Sequence, residues 1–259
     1  MAGVNIIHSD MVNYSDLTAH LSGDIDCHIF DTLPSTNDYL SSLAFSPRTQ
    51  VCVAMQQTQG KGQYNRRWLS SKNNSILLSI RRVFSADVTL SGLSLVVGLA
   101  LIETLKDYGI NDLQLKWPND VYHQDKKLAG ILIENSLKNQ MQSVVIGLGI
   151  NVDVDIDCQT PWTDLRTISK NPINQFDLNK DLINKILQFC QIFADEGFVY
   201  FTRQWENVDY LHGKRLQYDD KKQTFLGLCC GVNAEGALLI KTKREIKRVY
   251  SSQFLSFPC

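Results

Sequence analysis

Residues 116–130 read KWPNDVYHQDKKLAG and run into the apolar segment Leu128-Ala129-Gly130-Ile131-Leu132-Ile133. Just before it, Leu113-Gln114-Leu115-Lys116-Trp117 alternates with a period of two. Pro118 breaks that alternation and Val121-Tyr122 resumes it, so two short strands flank a corner. His123-Gln124-Asp125-Lys126 makes a polar tip, and the chain from Lys127 to Glu134 then has the texture of a core strand. Lys126 finishes the tip, while Lys127 stands at the mouth of a sheet. Residues 143–151 read as a further core strand.

Upstream, Cys27–Asp31 is a short apolar run ahead of Pro34, and Ser35-Thr36-Asn37 offers N-cap residues before Tyr39, Leu40 and Leu43. That order is strand, turn, helix. Val51–Met55 and Ile76–Ile80 are two more strands, separated by the polar loop QQTQGKGQYNRRW at 56–68. Leu90–Tyr108 is apolar nearly all round and meets Gly109, as a buried helix would. Leu178–Phe198 is an amphipathic helix, followed by helix and loop to about residue 212. From Gly213 the texture changes to short alternating segments, Thr224–Cys230 and Ala237–Lys241, with turns at Asp219-Asp220 and Glu235-Gly236. We place a small β module at 213–259 and the main domain at 1–212, with 1–26 as an extension of unassigned role.

The 259 residues, 44% hydrophobic and 20% charged, suit a globular chain with a sizeable core. A formal net charge of -1 gives no global basic field, so any bound anion must be held by a local cluster. Cysteines 27, 52, 158, 190, 229, 230 and 259 form no C-x-x-C or Cys/His ligand spacing. They read as reduced thiols of a cytoplasmic protein, without a structural metal. The N-terminus lacks the apolar core of a secretory signal, and Leu90–Leu105 is interrupted by Ser91, Ser94 and Glu103, so no membrane partner is expected.

Three constellations carry chemistry. In the loop, Gly60 and Gly62 flank Lys61, and Arg66 and Arg67 precede Trp68. Glycines let main-chain N–H groups approach an anion, arginines grip phosphate or carboxylate oxygens, and an indole stacks on a purine. A solvated hairpin with Trp68 tucked into the core fits the same residues. Neither phosphate-loop pattern, G-x-x-x-x-G-K-[ST] or G-x-G-x-x-G, is present. At the corner, Asn119 and Asp120 suit Mg²⁺ or a phosphate, though taken alone they fit better a turn whose side chains bond their own backbone. Gly130 leaves room for a ligand to lie along the backbone, and Gly147 and Gly149 ahead of Asn151 leave gaps in side-chain cover, open either to a ligand or to a closely packed helix.

STND at 35–38, QTQGKGQYNRRW at 57–68, KWPND at 116–120, KLAGILIE at 127–134 and GLGIN at 147–151 together resemble, in order and spacing, the biotin protein ligases. A weaker likeness continues over FLGLCCGVNAEGALLI at 225–240. The resemblance implies an α+β fold, a mixed central sheet flanked by helices as in class II synthetases, with an SH3-like C-terminal module. It implies a ligase that joins biotin to AMP using ATP and Mg²⁺. The biotinyl group then passes to a lysine of a biotin carboxyl carrier protein such as the acetyl-CoA carboxylase subunit. By resemblance, Ser35, Thr36 and Asn37 line the ureido end of biotin with Gln57 beside them. Lys61, Gly62 and Gln63 fold over the acyl-adenylate, and Gly130 lies along biotin. On the ATP side stand Gly60, Arg66 at the phosphates, Trp68 on the adenine, and Asn119 and Asp120, with Asn119 near the metal. Asn151 falls at the adenine end. Lys127, with Arg66, serves catalysis between the biotin carboxylate and the α-phosphate.

The related lipoate or octanoyl ligases, and a biotin-binding regulator without turnover, are the alternatives. The cation-rich loop with KWPND favours biotin, and Lys127 with Arg66 favours turnover. Some members add a winged helix-turn-helix that binds DNA. The 34 residues before Ser35 hold no basic recognition helix, so no DNA partner is expected. A homodimer stays open. Where the family's loop commonly reads G-R-G-R, this chain has Gly60-Lys61-Gly62-Gln63, an amide in place of the second guanidinium. Gln63→Arg is expected to slow dissociation of biotinyl-AMP about fivefold, the margin between a charged and a neutral hydrogen bond; a stopped-flow chase of the adenylate measures it.

Overall fold

The computed structural model describes residues 17–154, 161–220 and 222–257, without the side chain of Asn65. Residues 1–16 of the N-terminal extension, Cys158 and Cys259 lie outside the described residues.

Seven strands form the central sheet: β1 (Ile25–Leu33), β2 (Thr49–Gln57), β3 (Ser75–Ser85), β4 (Leu113–Lys116), β5 (Asp120–His123), β6 (Lys126–Lys138) and β7 (Met141–Asn151). Their order is β1-β2-β3-β7-β6-β5-β4. β1 and β2 are parallel because a helix, α1 (Thr36–Ser42), carries the chain back between them. All other pairs are antiparallel, which makes the sheet mixed.

Successive residues of a strand face opposite sides, and the burial pattern sorts the two faces. Val51 and Val53 of β2 join the large core built on α2 (Leu93–Asp107) and α4 (Gln175–Glu196). Cys52, between them, packs instead with Leu40 of α1 and Val145 of β7. The sheet is therefore sandwiched, with α1 on one face and the long helices on the other. α2 is buried along almost its whole length, as its all-round apolar sequence requires.

Pairing registers align side chains in rows across the α1 face. One row runs Ala54, Leu77, Gly149, Gly130, Asp120, Lys116, and the next runs Cys52, Ser79, Gly147, Leu132. A bulge disturbs this order once: Val121 pairs with Ala129 while Tyr122 pairs with Lys127, leaving Leu128 as an extra residue on β6. Leu128 and Ala129 are both buried in the large core, and Lys127 is thereby returned to the α1 face.

Beyond α4 come α5 (Thr202–Glu206) and a linker whose Val208 and Tyr210 bond the outer edge of β4, Leu115 N–H donating to Val208 O at 2.7 Å and Tyr210 N–H to Leu115 O at 2.9 Å. A short α3 (Leu165–Ile168) lies earlier, after β7. The C-terminal module is a five-stranded antiparallel sheet of β8 (Arg215–Asp219), β9 (Thr224–Val232), β10 (Leu238–Lys241), β11 (Ile246–Val249) and β12 (Leu255–Ser256), ordered β11-β10-β9-β8-β12. Trp117 Nε1 donates to Gly236 O at 2.9 Å and ties the module to the β4–β5 corner. Among the described residues no helix is long and apolar enough to cross a membrane.

The short helix α1 is anchored from beneath. Arg81, only 1% exposed, donates from Nη1 to Leu40 O and Leu43 O at 2.8 and 3.0 Å and from Nη2 to Ala44 O at 2.7 Å. A guanidinium thus satisfies carbonyls that the helix end leaves open. Arg81→Met is expected to destabilise the fold by about 2–4 kcal/mol, since buried acceptors lose charged donors; chemical denaturation reads the loss.

Candidate active site

On the α1 face lies a cavity of about 490 Å³ whose floor is the part of the two rows contributed by β7, β6, β5 and β4. Its first end is polar. Ser35 caps α1, its Oγ accepting from Asp38 N–H, and this sets Thr36 and Asn37 over the sheet. Gln57 Oε1 accepts from Thr36 N–H at 2.7 Å and from the Thr36 hydroxyl at 3.0 Å. Ser79 Oγ lies 2.6 Å from Asn37 Oδ1 and 2.7 Å from Thr36 Oγ1, its single proton serving one of them. Asn37 Nδ2 donates to Glu134 Oε2 at 2.7 Å. Gly147 permits this approach, because a Cβ there would fall 2.3 Å from Asn37 Oδ1. The close-packed-helix reading of that glycine is the one the structure realises.

The middle of the floor is covered by an indole. Trp68 N–H donates to Gly60 O at 2.9 Å and Gly62 N–H to Arg66 O at 2.7 Å, so the loop closes as a small hairpin and lays Trp68 on the sheet. A Cβ at Gly149 would sit 2.5 Å from Trp68 Cε2, and one at Gly130 3.1 Å from Cζ3. Trp68 Nε1 is buried without a hydrogen-bond partner among the described residues. Gly62, Gln63 and Arg66 line the cavity; Gly60 does not, its missing Cβ instead making room for Trp68 O, 2.7 Å away. Lys61 lines the mouth but pairs with Asp38 at 2.6 Å, and this hydrogen bond raises its pKa.

Lys127 is the best fixed of the cations. Its N–H donates to Pro161 O and its carbonyl accepts from Thr163 N–H, both at 2.9 Å. Asn151, buried at the end of β7, holds the same segment through Nδ2 to Thr163 O at 3.0 Å and to Lys127 O at 3.4 Å. Lys127 Nζ lies 2.7 Å from Asp120 Oδ1 and 5.5 Å from the Trp68 ring centre. Asn119 also lines the cavity and donates from Nδ2 to Ile131 O at 2.7 Å. No group of three or more His, Cys, Asp or Glu side chains is gathered as for a resident metal among the described residues.

Sequence reasoning named most of this constellation and missed part of it. Ser79 and Glu134 were unmarked, since a serine in an apolar strand and a glutamate at a strand's end carry no signal until Asn37 lies between them. Lys116 stands within KWPND but carries no signal of its own, because a lysine on the polar side of an alternating strand reads as solvent-facing. The C-terminal segment was also missed: Ser252, Leu255, Ser256 and Phe257 line the cavity, and the Tyr64 hydroxyl lies 2.9 Å from Ser251 Oγ.

A family model described as the Biotin/lipoate A/B protein ligase family matches residues 29–151. The bifunctional ligase/repressor BirA of Escherichia coli K12 is 29% identical over 244 residues, covering 92% of this chain and 75% of that protein. Its namesake in Salmonella typhimurium LT2 is 31% identical over 236 residues, covering 85% and 70%. Among solved structures, a biotin protein ligase from Aquifex aeolicus in complex with biotin and ATP is similar with a TM-score of 0.76 at 26% identity, covering 89% of this chain and 97% of that one.

The geometry predicts that Gly149→Ala expels Trp68 from the floor. A red shift of tryptophan emission, absent when the same change is made in a Trp68→Phe background, is the expected result.

Proposed function

The chain belongs to the biotin protein ligase family, and we propose that its cavity activates biotin at the Lys127–Asp120 pair before handing it to a carrier lysine. The enzyme forms biotinyl-5'-AMP from biotin and ATP with release of pyrophosphate, then transfers biotin to protein. The observation that carries the assignment of roles is the single cavity in which a polar amide end, an indole-covered glycine floor and a fixed lysine follow one another across the sheet.

In this reading the ureido group of biotin meets Ser35, Thr36, Asn37 and Gln57, whose amides and hydroxyls supply both donors and acceptors. The biotin tail runs over Gly130 toward Lys127, with Lys61, Gly62 and Gln63 closing above it. For the tail to occupy the floor Trp68 must lift, and the adenine then offers its indole a new face, with Asn151 and the hairpin closed at Gly60 alongside. A biotin carboxylate oxygen attacks the α-phosphorus, the bond to the β-phosphate breaks, and pyrophosphate leaves with the electron pair. Two anions must approach for this, so Lys127 Nζ and the Arg66 guanidinium offset charge that grows in the transition state. In the second step the carrier lysine's amine attacks the acyl carbonyl and AMP departs. Mg²⁺ fits as an ion arriving with ATP, because one carboxylate and one amide, Asp120 and Asn119, are what such a site offers beside phosphate oxygens; it would screen the phosphate charge.

The carrier is a biotin carboxyl carrier protein or a domain of that kind. The chain divides near residue 213, and the C-terminal module lends Leu255 and Ser256 of β12 to the cavity wall. The five described cysteines are free thiols, which supports a cytoplasmic setting.

Purified protein supplied with ATP, Mg²⁺ and biotin is expected to release pyrophosphate, and with lipoate in place of biotin to release none. Lys127→Ala should slow biotin adenylation on the order of 100-fold, the scale for loss of one transition-state donor. A loss smaller than about threefold would refute the role given to Lys127.

A further inference from the structure

We propose that Lys116, resting on the reading just given, is the ATP-binding residue that receives the β- and γ-phosphates and holds pyrophosphate as it leaves.

Register carries the argument first. Lys116 pairs with Asp120, Asp120 with Gly130 and Gly130 with Gly149, so Lys116 ends the row that passes under Trp68 at Gly149 and Gly130. Strands lie roughly 4.8 Å apart, which puts β4 three strand spacings, about 14 Å, from β7. The polar pocket of Thr36, Asn37 and Gln57 lies toward the other end of the sheet, at Gln57 of β2, Ser79 of β3 and Gly147 of β7. A molecule whose α-phosphate sits at Lys127 on β6 therefore extends its remaining phosphates past Asp120 on β5 to Lys116 on β4. Lys116 lines the cavity.

Charge carries it second. The Lys116 ammonium is half-buried and, among the described residues, makes no ion pair; its polar neighbour is the Tyr122 hydroxyl at 3.4 Å. Asp120, the nearest acid along the row, is taken by Lys127 at 2.7 Å. Aromatic faces surround Nζ instead, with ring centres of Tyr122 at 5.0 Å, Phe257 at 5.3 Å and Tyr210 at 5.9 Å. Burial lowers its pKa, Asp120 opposes this, and the positive charges of Lys127, Lys214 and Arg66 lower it further. Rings compensate a buried cation only in part, so the end of the cavity is short of negative charge. A diphosphate supplies it.

The chemistry carries it third. As the α-phosphorus bonds to the biotin carboxylate, the electron pair of the broken bond leaves on pyrophosphate, and a cation beside that group gains more in the transition state than in the ground state. Lys127 meets the phosphate that stays with the adenylate; Lys116 meets the phosphates that depart.

Biotinyl-AMP keeps only the α-phosphate, and that separates the two lysines experimentally. Lys116→Met keeps the alkyl stem among the rings and removes the charge. It is expected to raise KM for ATP about tenfold or more, and to weaken inhibition by inorganic pyrophosphate to a similar degree, the value of one charged hydrogen bond. Transfer from supplied biotinyl-AMP to a carrier domain, and binding of biotin alone, should stay within twofold of wild type. Lys116→Arg should recover most of the ATP affinity. Equal losses in the ATP and biotinyl-AMP reactions, a loss confined to transfer, or unchanged KM for ATP and unchanged pyrophosphate inhibition would each overturn the assignment. Absence of biotin-dependent pyrophosphate release by the wild-type enzyme would count against the ligase reading itself. Calorimetric binding of pyrophosphate to wild type and Lys116→Met still reads the Lys116 site in that case.

Discussion

Two missing side chains on one strand hold this site together. Gly147 and Gly149 face the same side of β7, the central partner of β3 and β6, and each is filled by a residue from elsewhere, Asn37 over the first and Trp68 over the second. Any Cβ at these positions would fall inside contact distance of the residue above it. The polar end of the cavity exists because α1 can press Asn37 onto the sheet backbone, and the floor exists because an indole can lie flat on glycine. Arg81, tying down the far end of α1, keeps the first of these contacts in register with Ser79 and Glu134.

The cationic half of the site depends on a different local event. A strand beginning with two lysines would normally expose one and bury the next, at a cost no core strand bears without compensation. The bulge at Leu128 lets two consecutive apolar residues enter the core and returns Lys127 to the cavity face beside Asp120. Lys126 stays exposed at the tip. The Asp120 carboxylate then faces two lysines but bonds one, so positive charge is left over at the β4 end.

Much of the fold was legible because its signals are local. Ser35 before an apolar helix predicted the cap it makes, Gly109 marked the end of α2, and the alternation at 113–117 with its break at Pro118 marked β4 and the corner. β6 and β7 run further than read, to Lys138 and from Met141, since their outer ends are polar and pair with each other rather than with the core. Likewise α4 starts at Gln175, capped by Asn174, ahead of its first apolar stripe. Arg215–Asp219 and Ile246–Val249 were not recognised as strands, because charged residues there pair as backbone while their side chains stay in water.

By itself the sequence determined which residue types could meet: cations, amides, an indole and three gaps in side-chain cover, in an order that matches one family. Only the tertiary structure decided which of them do. Gly60 closes the hairpin that carries Trp68, Gly147 became the seat of Asn37, and Lys116 moved from an anonymous surface lysine to the end of a row containing Gly149, Gly130 and Asp120. The reason is register. Which side chains share a row depends on pairings between strands far apart in the chain and on one bulge that shifts them, and neither is written in any single stretch of residues.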